Sequence, residues 1–343
     1  MSSPPASGPV KVLVSFPPDP PEEELERLRN VSDRVDLRVS SYLEPHSART
    51  ARGAGVRVEV PDLDPAFARE LAAAHALLAL DLPDGVAELA PELRWVQAVG
   101  AGVEHLLRHP LPERVALTNA AGVAAVPIAE FVIARLLGVW KRTTELDALQ
   151  RERRWEPTYG RQLAGSSMLV VGLGAIGAAV AERAHALGVE VLAIRGHPRP
   201  HPNCAEVAGP ERLHDLLGRV DAVVLSAPAI AETESMFDAA AFSAMRAGSV
   251  FCNVARGSLV DEEALADALR GGHLGAAVLD VTRSEPLPED SPLWDVPNCA
   301  LSPHSASAPG RYVMDLYGFF ADNLSRWLSG ESLRNLVDRD RGY

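Results

Sequence analysis

Short apolar runs alternate along this chain with stretches in which apolar residues recur at helical spacing. KVLVSF at residues 11–16 reads as a buried strand, preceded over residues 1–9 by a polar, Pro-rich stretch that predicts a disordered tail. PEEELERLRN then reads as a helix whose acidic residues fall in the first turn, where the helix dipole favours them. VDLRVS, ALLALD, RWVQAV and VALTN give further strands, with DPAFARELAAAH as a helix between them, the pattern of an α/β layer unit. From Pro127, PIAEFVIARLLGVWKRTTELDALQRERRW keeps its helical spacing throughout and predicts one helix leading out of this first domain. MLVVGL, VEVLAI, AVVLSA, SVFCNVA, GAAVLDV and CALSP follow, alternating with helices; such near-continuous apolar strands predict a parallel, doubly wound sheet. The amphipathic stretch RYVMDLYGFFADNLSRWLSG predicts a last helix that crosses back to the first domain.

Composition narrows the chemistry. With 33 Lys and Arg against 46 Asp and Glu, the 343-residue chain carries a formal charge of −13, which repels nucleic acid and anionic lipid. The start MSSPPASGPV lacks the basic, apolar and small-residue order of a leader, and no long uncharged apolar run is present, so a cytoplasmic protein without a membrane partner is expected. Cys204, Cys252 and Cys299 are distant and odd in number, which fits reduced, buried or partly buried thiols. His105, His109, His197, His201 and His214 show no metal-ligand spacing; surface positions and no metal are expected.

Candidate chemistry collects in the second half. Gly172, Gly174 and Gly177 follow an apolar strand and open a helix, so backbone N–H groups there, with Ala175 and Ile176, would meet a pyrophosphate at the positive helix end. At the end of the next strand, where a carboxylate would hold the ribose hydroxyls, stands Arg195, followed by His197 and Arg199 on a glycine loop. A cation there suits the 2′-phosphate of NADP(H), which is expected over NAD(H). Arg256, Glu285 and His304 each lie just beyond the carboxyl end of a predicted strand, the edge along which open α/β sheets bind ligands. Arginine can grip a carboxylate two-pronged, histidine can pass a proton near neutral pH, and an adjacent Glu holds the ring and favours its charged form.

The motifs GLGAIG, NVARGSLVDEEAL, AAVLDVTRSEPLP and SPHSA, in this order, resemble the D-isomer-specific 2-hydroxyacid dehydrogenase family. RWVQAVGAGVEHL is similar to its substrate-carboxylate loop and NLSRWLSGESLRNLVD to its return helix and tail. The resemblance implies a Rossmann-type dinucleotide domain (residues 123–307), a flavodoxin-like substrate domain (1–122 plus 308–343), an active site in the cleft between them and a homodimer. It implies Arg256 as the grip on the substrate's carboxylate and carbonyl, His304 as acid/base, Glu285 as its orienting carboxylate, and the backbone of Gly100, Ala101 and Gly102 as a second carboxylate contact. Pro228, Val254, Ala255, Asp280 and His304 would line the cofactor, with Asp280 at the nicotinamide amide. Thr282, where an aromatic is common, and Pro127-Ile128, where a small or hydroxyl residue is common, depart from the pattern and bear on the substrate. The expected activity is NADP(H)-dependent reduction of a small 2-oxo acid of the glyoxylate or hydroxypyruvate type. A phosphoglycerate dehydrogenase-like enzyme using NAD is the enzymatic alternative, and a dinucleotide-sensing corepressor of the same fold the non-enzymatic one. Formate dehydrogenase would pair its histidine with Gln, which Glu285 disfavours.

Overall fold

The computed structural model describes residues 3–53, 56–58, 62–296 and 298–342. They form two compact units, residues 1–123 with 309–343 and residues 124–308. The first contains a five-stranded sheet of β1 (Val10–Val14), β2 (Val35–Val39), β3 (Ala76–Ala79), β4 (Trp95–Ala98) and β5 (Ala116–Thr118), in the order β2-β1-β3-β4-β5. All its strands are parallel, and the order is that of flavodoxin-like sheets. Alternation along each strand sends side chains to two cores. Val12, Val14, Leu78 and Trp95 pack on Leu316, Tyr317, Phe320 and Trp327 of the helix Pro309–Leu328, while Leu13, Leu77 and Val96 pack on Phe67 and Leu71 of the helix Pro65–Ala73. The last helix therefore belongs to the N-terminal unit.

The second unit has seven strands among the described residues: β6 (Ser167–Val171), β7 (Glu190–Ile194), β8 (Glu206–Ala208), β9 (Ala222–Leu225), β10 (Val250–Asn253), β11 (Ala276–Leu279) and β12 (Cys299–Leu301). Their order, β12-β11-β10-β9-β6-β7-β8, is parallel throughout and doubly wound about β6, the Rossmann arrangement with one further strand. One face of the sheet packs on Val132, Leu136 and Val180 of the helices Ala125–Lys141 and Ala175–Ala186, the other on Leu216, Phe237, Phe242 and Leu265.

Three expectations need correction. The long helical pattern is two helices, Ala125–Lys141 and Thr143–Arg151, separated by Arg142 in the left-handed conformation at φ 57°. Apolar spacing resumes across the break, so periodicity alone does not show it. β8 adds an edge strand that was absent from the six strands expected, because EVA is short and only partly buried. Residues 3–9 have no helix or strand but are tied down: Arg34 donates from Nε to the Gly8 carbonyl at 3.1 Å and from Nη2 to that of Pro5 at 2.5 Å. Residues 1 and 2 of the expected tail lie outside the described residues.

Candidate active site

The glycine turn after β6 divides its labour. Gly172 sits at φ 99°, and a Cβ there would lie 2.5 Å from the Ala227 backbone nitrogen, so only glycine passes that close to the loop after β9. A Cβ on Gly177 would lie 2.2 Å from the Gly172 carbonyl oxygen, so helix and strand approach closely there. At Gly174 a Cβ would meet nothing within 4 Å: the space in front of this N-cap is open. No side chain caps the helix, which leaves the N–H groups of its first turn, including Ala175 and Ile176, available to an anion. A tight turn, an open approach and a close packing contact are the three tasks of a dinucleotide-binding glycine loop.

At the end of β7, Arg195 is half-buried, while His197 and Arg199 are exposed. The Arg195 N–H donates to the Ala208 carbonyl at 3.0 Å, which ties the loop to β8.

His304 and Glu285 meet. His304 Nδ1 lies 2.9 Å from Glu285 Oε2, and since an ionised carboxylate only accepts, Nδ1 carries the proton and Nε2 is left for other chemistry. The second oxygen, Oε1, accepts the Thr282 N–H at 3.2 Å, so Glu285 is held at both ends. The ring is 47% exposed and the Glu285 side chain 17%, which leaves the histidine reachable and its partner sheltered. The backbone of His304 is left-handed at φ 50°, an uncommon conformation that its surroundings enforce. Its N–H donates to the Asp280 carbonyl at 2.8 Å, and the Asp280 carboxylate accepts from Ser302 Oγ at 2.7 Å, Ser305 N at 2.9 Å and Ala306 N at 3.1 Å. Asp280 is buried beneath the loop it organises.

Arg256 follows β10, half-buried, with Nη1 donating to the Ala255 carbonyl at 2.8 Å. Asn253, buried at the end of β10, clamps this turn from both sides, donating to the Arg256 carbonyl at 2.9 Å and accepting from Ala255 N at 2.9 Å. Val254 and Ala255 point into the two cores. Pro228 is exposed in the loop after β9. A Cβ on Gly257 would lie 2.1 Å from Arg283 N, so the turn bearing Arg256 and the loop bearing Glu285 touch backbone to backbone. Asn253 and Gly257 were not singled out from sequence. Gly100, Ala101 and Gly102 follow β4 in the N-terminal unit, where the Gly100 carbonyl accepts from Ala120 N at 2.9 Å.

The pattern described as D-isomer specific 2-hydroxyacid dehydrogenase, NAD binding domain, matches residues 133–306. Glyoxylate/hydroxypyruvate reductase B of Citrobacter koseri is 33% identical over 82% of this chain and 90% of its own. The chain belongs to the D-isomer-specific 2-hydroxyacid dehydrogenase family. D-3-phosphoglycerate dehydrogenase of Mycobacterium leprae is 34% identical over 90% of this dehydrogenase but only 60% of its own length. The crystal structure of a D-isomer specific 2-hydroxyacid dehydrogenase from Xanthobacter autotrophicus Py2, in complex with NADPH and MES, superposes with a TM-score of 0.80 at 30% identity, covering 98% of this chain and 100% of that one. The dehydrogenase is thus an NAD(P)-dependent oxidoreductase, and its glycine loop fits the dinucleotide.

Two histidines of the dehydrogenase are not where they were expected. His109 is buried and His105 nearly so, because the loops after β3 and β4 close over an ion-pair cluster. Burial pushes the pKa of both rings down. The Cys252 and Cys299 thiols are pushed up to about 12 by burial, which keeps them protonated and unreactive. Among the described residues no group of His, Cys, Asp and Glu is arranged to hold a metal, and no helix is long and apolar enough to cross a membrane.

Proposed function

We propose that this dehydrogenase reduces a small 2-oxo acid of the glyoxylate or hydroxypyruvate type to the D-2-hydroxy acid, with NADPH preferred over NADH. The observation that carries the reaction is the His304–Glu285 contact at 2.9 Å. Bound cofactor would supply a hydride to the substrate's C2. Protonated His304 gives its Nε2 proton to the carbonyl oxygen, and Glu285 favours that protonated form through the contact at Nδ1. The Arg256 guanidinium takes the acid's carboxylate and fixes C2 in place. In the oxidative direction neutral His304 accepts the proton.

The cofactor preference rests on Arg195. An arginine at this strand end cannot accept hydrogen bonds from the ribose hydroxyls, and a 2′-phosphate would gain charge-assisted bonds from it and from the exposed His197 and Arg199. Such bonds contribute about 1.5–3 kcal/mol each, so a preference of at least about tenfold is expected. The naming of the Citrobacter relative and the NADPH in the Xanthobacter structure support this reading. The test is a panel of 2-oxo acids assayed with NADPH and NADH, with Arg195→Asp alongside. Turnover of glyoxylate or hydroxypyruvate with NADPH favoured, reversed in the variant, is expected; equal efficiency with both cofactors would overturn the preference alone. A preference for NADH and 3-phosphohydroxypyruvate would favour the phosphoglycerate dehydrogenase alternative, and binding of cofactor without turnover of any acid the corepressor one. A homodimer is part of the same reading, checked by light scattering.

A further inference from the structure

Behind the His304–Glu285 pair stands a second carboxylate. Glu262 opens the helix Glu262–Arg270, and its Oε1 accepts the Arg283 N–H at 2.6 Å. That N–H belongs to the loop Thr282–Glu285, whose first residue donates to Glu285 Oε1 and whose last carries the carboxylate that meets His304. The loop has little freedom elsewhere. Its backbone is pressed against Gly257, Thr282 Oγ1 donates to the Ser284 carbonyl at 2.8 Å, and the Arg283 guanidinium runs the other way, to Glu234 at 3.1 Å, Ser235 Oγ at 3.0 Å and the Ser258 carbonyl at 3.2 Å. Glu262 fixes the Arg283 N–H, between the two residues whose bonds hold the Glu285 carboxylate.

We propose that Glu262 is a positioning residue for the reaction: through the Arg283 N–H it holds Glu285 against His304, and as a second carboxylate behind Glu285 it adds to the field that favours protonated His304. This rests on His304 being the acid/base. The groups facing Glu262 are Arg283 and Glu285 from the loop and the Cys299 thiol from β12; burial raises its pKa, the Arg283 N–H and charge oppose that, and the Glu285 charge adds to it. Around His304 the acidic groups are Glu285 at its ring and Asp280 beneath its loop. The first function acts through Glu285 and the second through the field at His304, so neither requires Glu262 to touch substrate.

Two substitutions separate the functions. Gln keeps an acceptor for the Arg283 N–H and loses the charge; Ala loses both. In Glu262→Gln the alkaline loss of reductase activity is expected to move to lower pH by about half a unit, with kcat at low pH kept, since a charge set behind Glu285 in partly exposed protein acts at a high effective dielectric. Glu285→Gln, which removes the nearer charge, should move it further. Glu262→Ala should show the same shift and in addition lose roughly fivefold or more in kcat at every pH, with NADPH affinity and melting temperature near wild type. Both Glu262 variants behaving as wild type would overturn the proposal, as would Gln losing rate as fully as Ala or leaving the pH profile unmoved. Should Glu262→Ala not fold, the Gln profile alone decides. His304→Ala run in parallel keeps the two ideas apart: activity retained there overturns the acid/base role and with it this inference, whereas activity lost there and unmoved profiles in the Glu262 variants overturn the inference alone.

Discussion

The carboxyl edges of the two sheets use charge in opposite ways. In the N-terminal unit the charged groups beyond β2 and β3 are spent on one another. Arg49 grips Asp81 with Nε at 2.6 Å and Nη2 at 2.8 Å, and Arg52 grips Glu44 at 2.9 and 3.2 Å while giving Nη1 to Asp84 at 2.8 Å. Asp81, Glu44 and His109 are buried, and the His105 Nε2 donates to the Leu80 carbonyl at 2.7 Å. In the C-terminal unit the same edge carries an uncapped helix end with open space before it, a half-exposed His304 and exposed His197 and Arg199. Buried, mutually satisfied charge fixes loops; charge left reachable at a strand end is what a ligand can use.

That contrast can be broken most severely at His304. His304→Ala should lower turnover by about 10³-fold, the range of a lost general acid, while NADPH still quenches protein fluorescence with unchanged affinity. Weakened cofactor binding would show that the ring serves the nucleotide instead. The matching cut in the other unit is Arg49→Met, which strands the buried Asp81 carboxylate. It should cost about 3 kcal/mol in stability with little effect on the Michaelis constant for NADPH, read by thermal melting beside steady-state kinetics. A variant as stable as wild type would mean that the cluster is a surface feature.

A finer cut compares two glycines of one loop. Gly174→Ala adds a methyl where nothing lies within 4 Å, so the melting temperature should hold while NADPH binding weakens about tenfold, because the methyl occupies the approach of the pyrophosphate. Gly177→Ala drives its methyl into the Gly172 carbonyl and should destabilise the unit before affecting anything else. Melting curves and titrations of both variants decide; a stable Gly177→Ala with intact binding would contradict the packing role.

The strands were legible because most are buried on both faces and read as apolar runs, and three residues of the candidate site could be singled out because each follows such a run. What escaped the sequence acts over distance or through backbone. Asp81 meets Arg49 across 32 positions, and no local pattern pairs them. Gly257 matters for a contact with Arg283, Asn253 for a turn it clamps from inside the sheet, and Glu262 for a single N–H. The same blindness placed His105 and His109 at the surface: their burial comes from loops that close only in the fold. Asp280 was read as a contact for nicotinamide, and the bonds that tie it to Ser302, Ser305 and Ala306 have no signature in CALSP or SPHSA.

The smallest expected effect is a pH dependence confined to the N-terminal unit. Burial lowers the pKa of His75, His105 and His109 below the ordinary 6.5. In the unfolded chain these rings bind protons as the pH falls through about 6.5, whereas the folded unit resists until lower pH. Over that window the unfolded state holds more protons, so stability is whole above about 6.5 and declines as the pH drops below it. Glu24, whose carboxyl burial holds above its ordinary 4.5, works with the opposite sign. Over a scan from about pH 7.5 to 6, the melting transition that Arg49→Met lowers should fall with pH, and His105→Gln should flatten its slope. A transition that rises as the pH drops would mean that the rings gain protons on folding, and that the cluster around Asp81 attracts positive charge rather than having already satisfied its own.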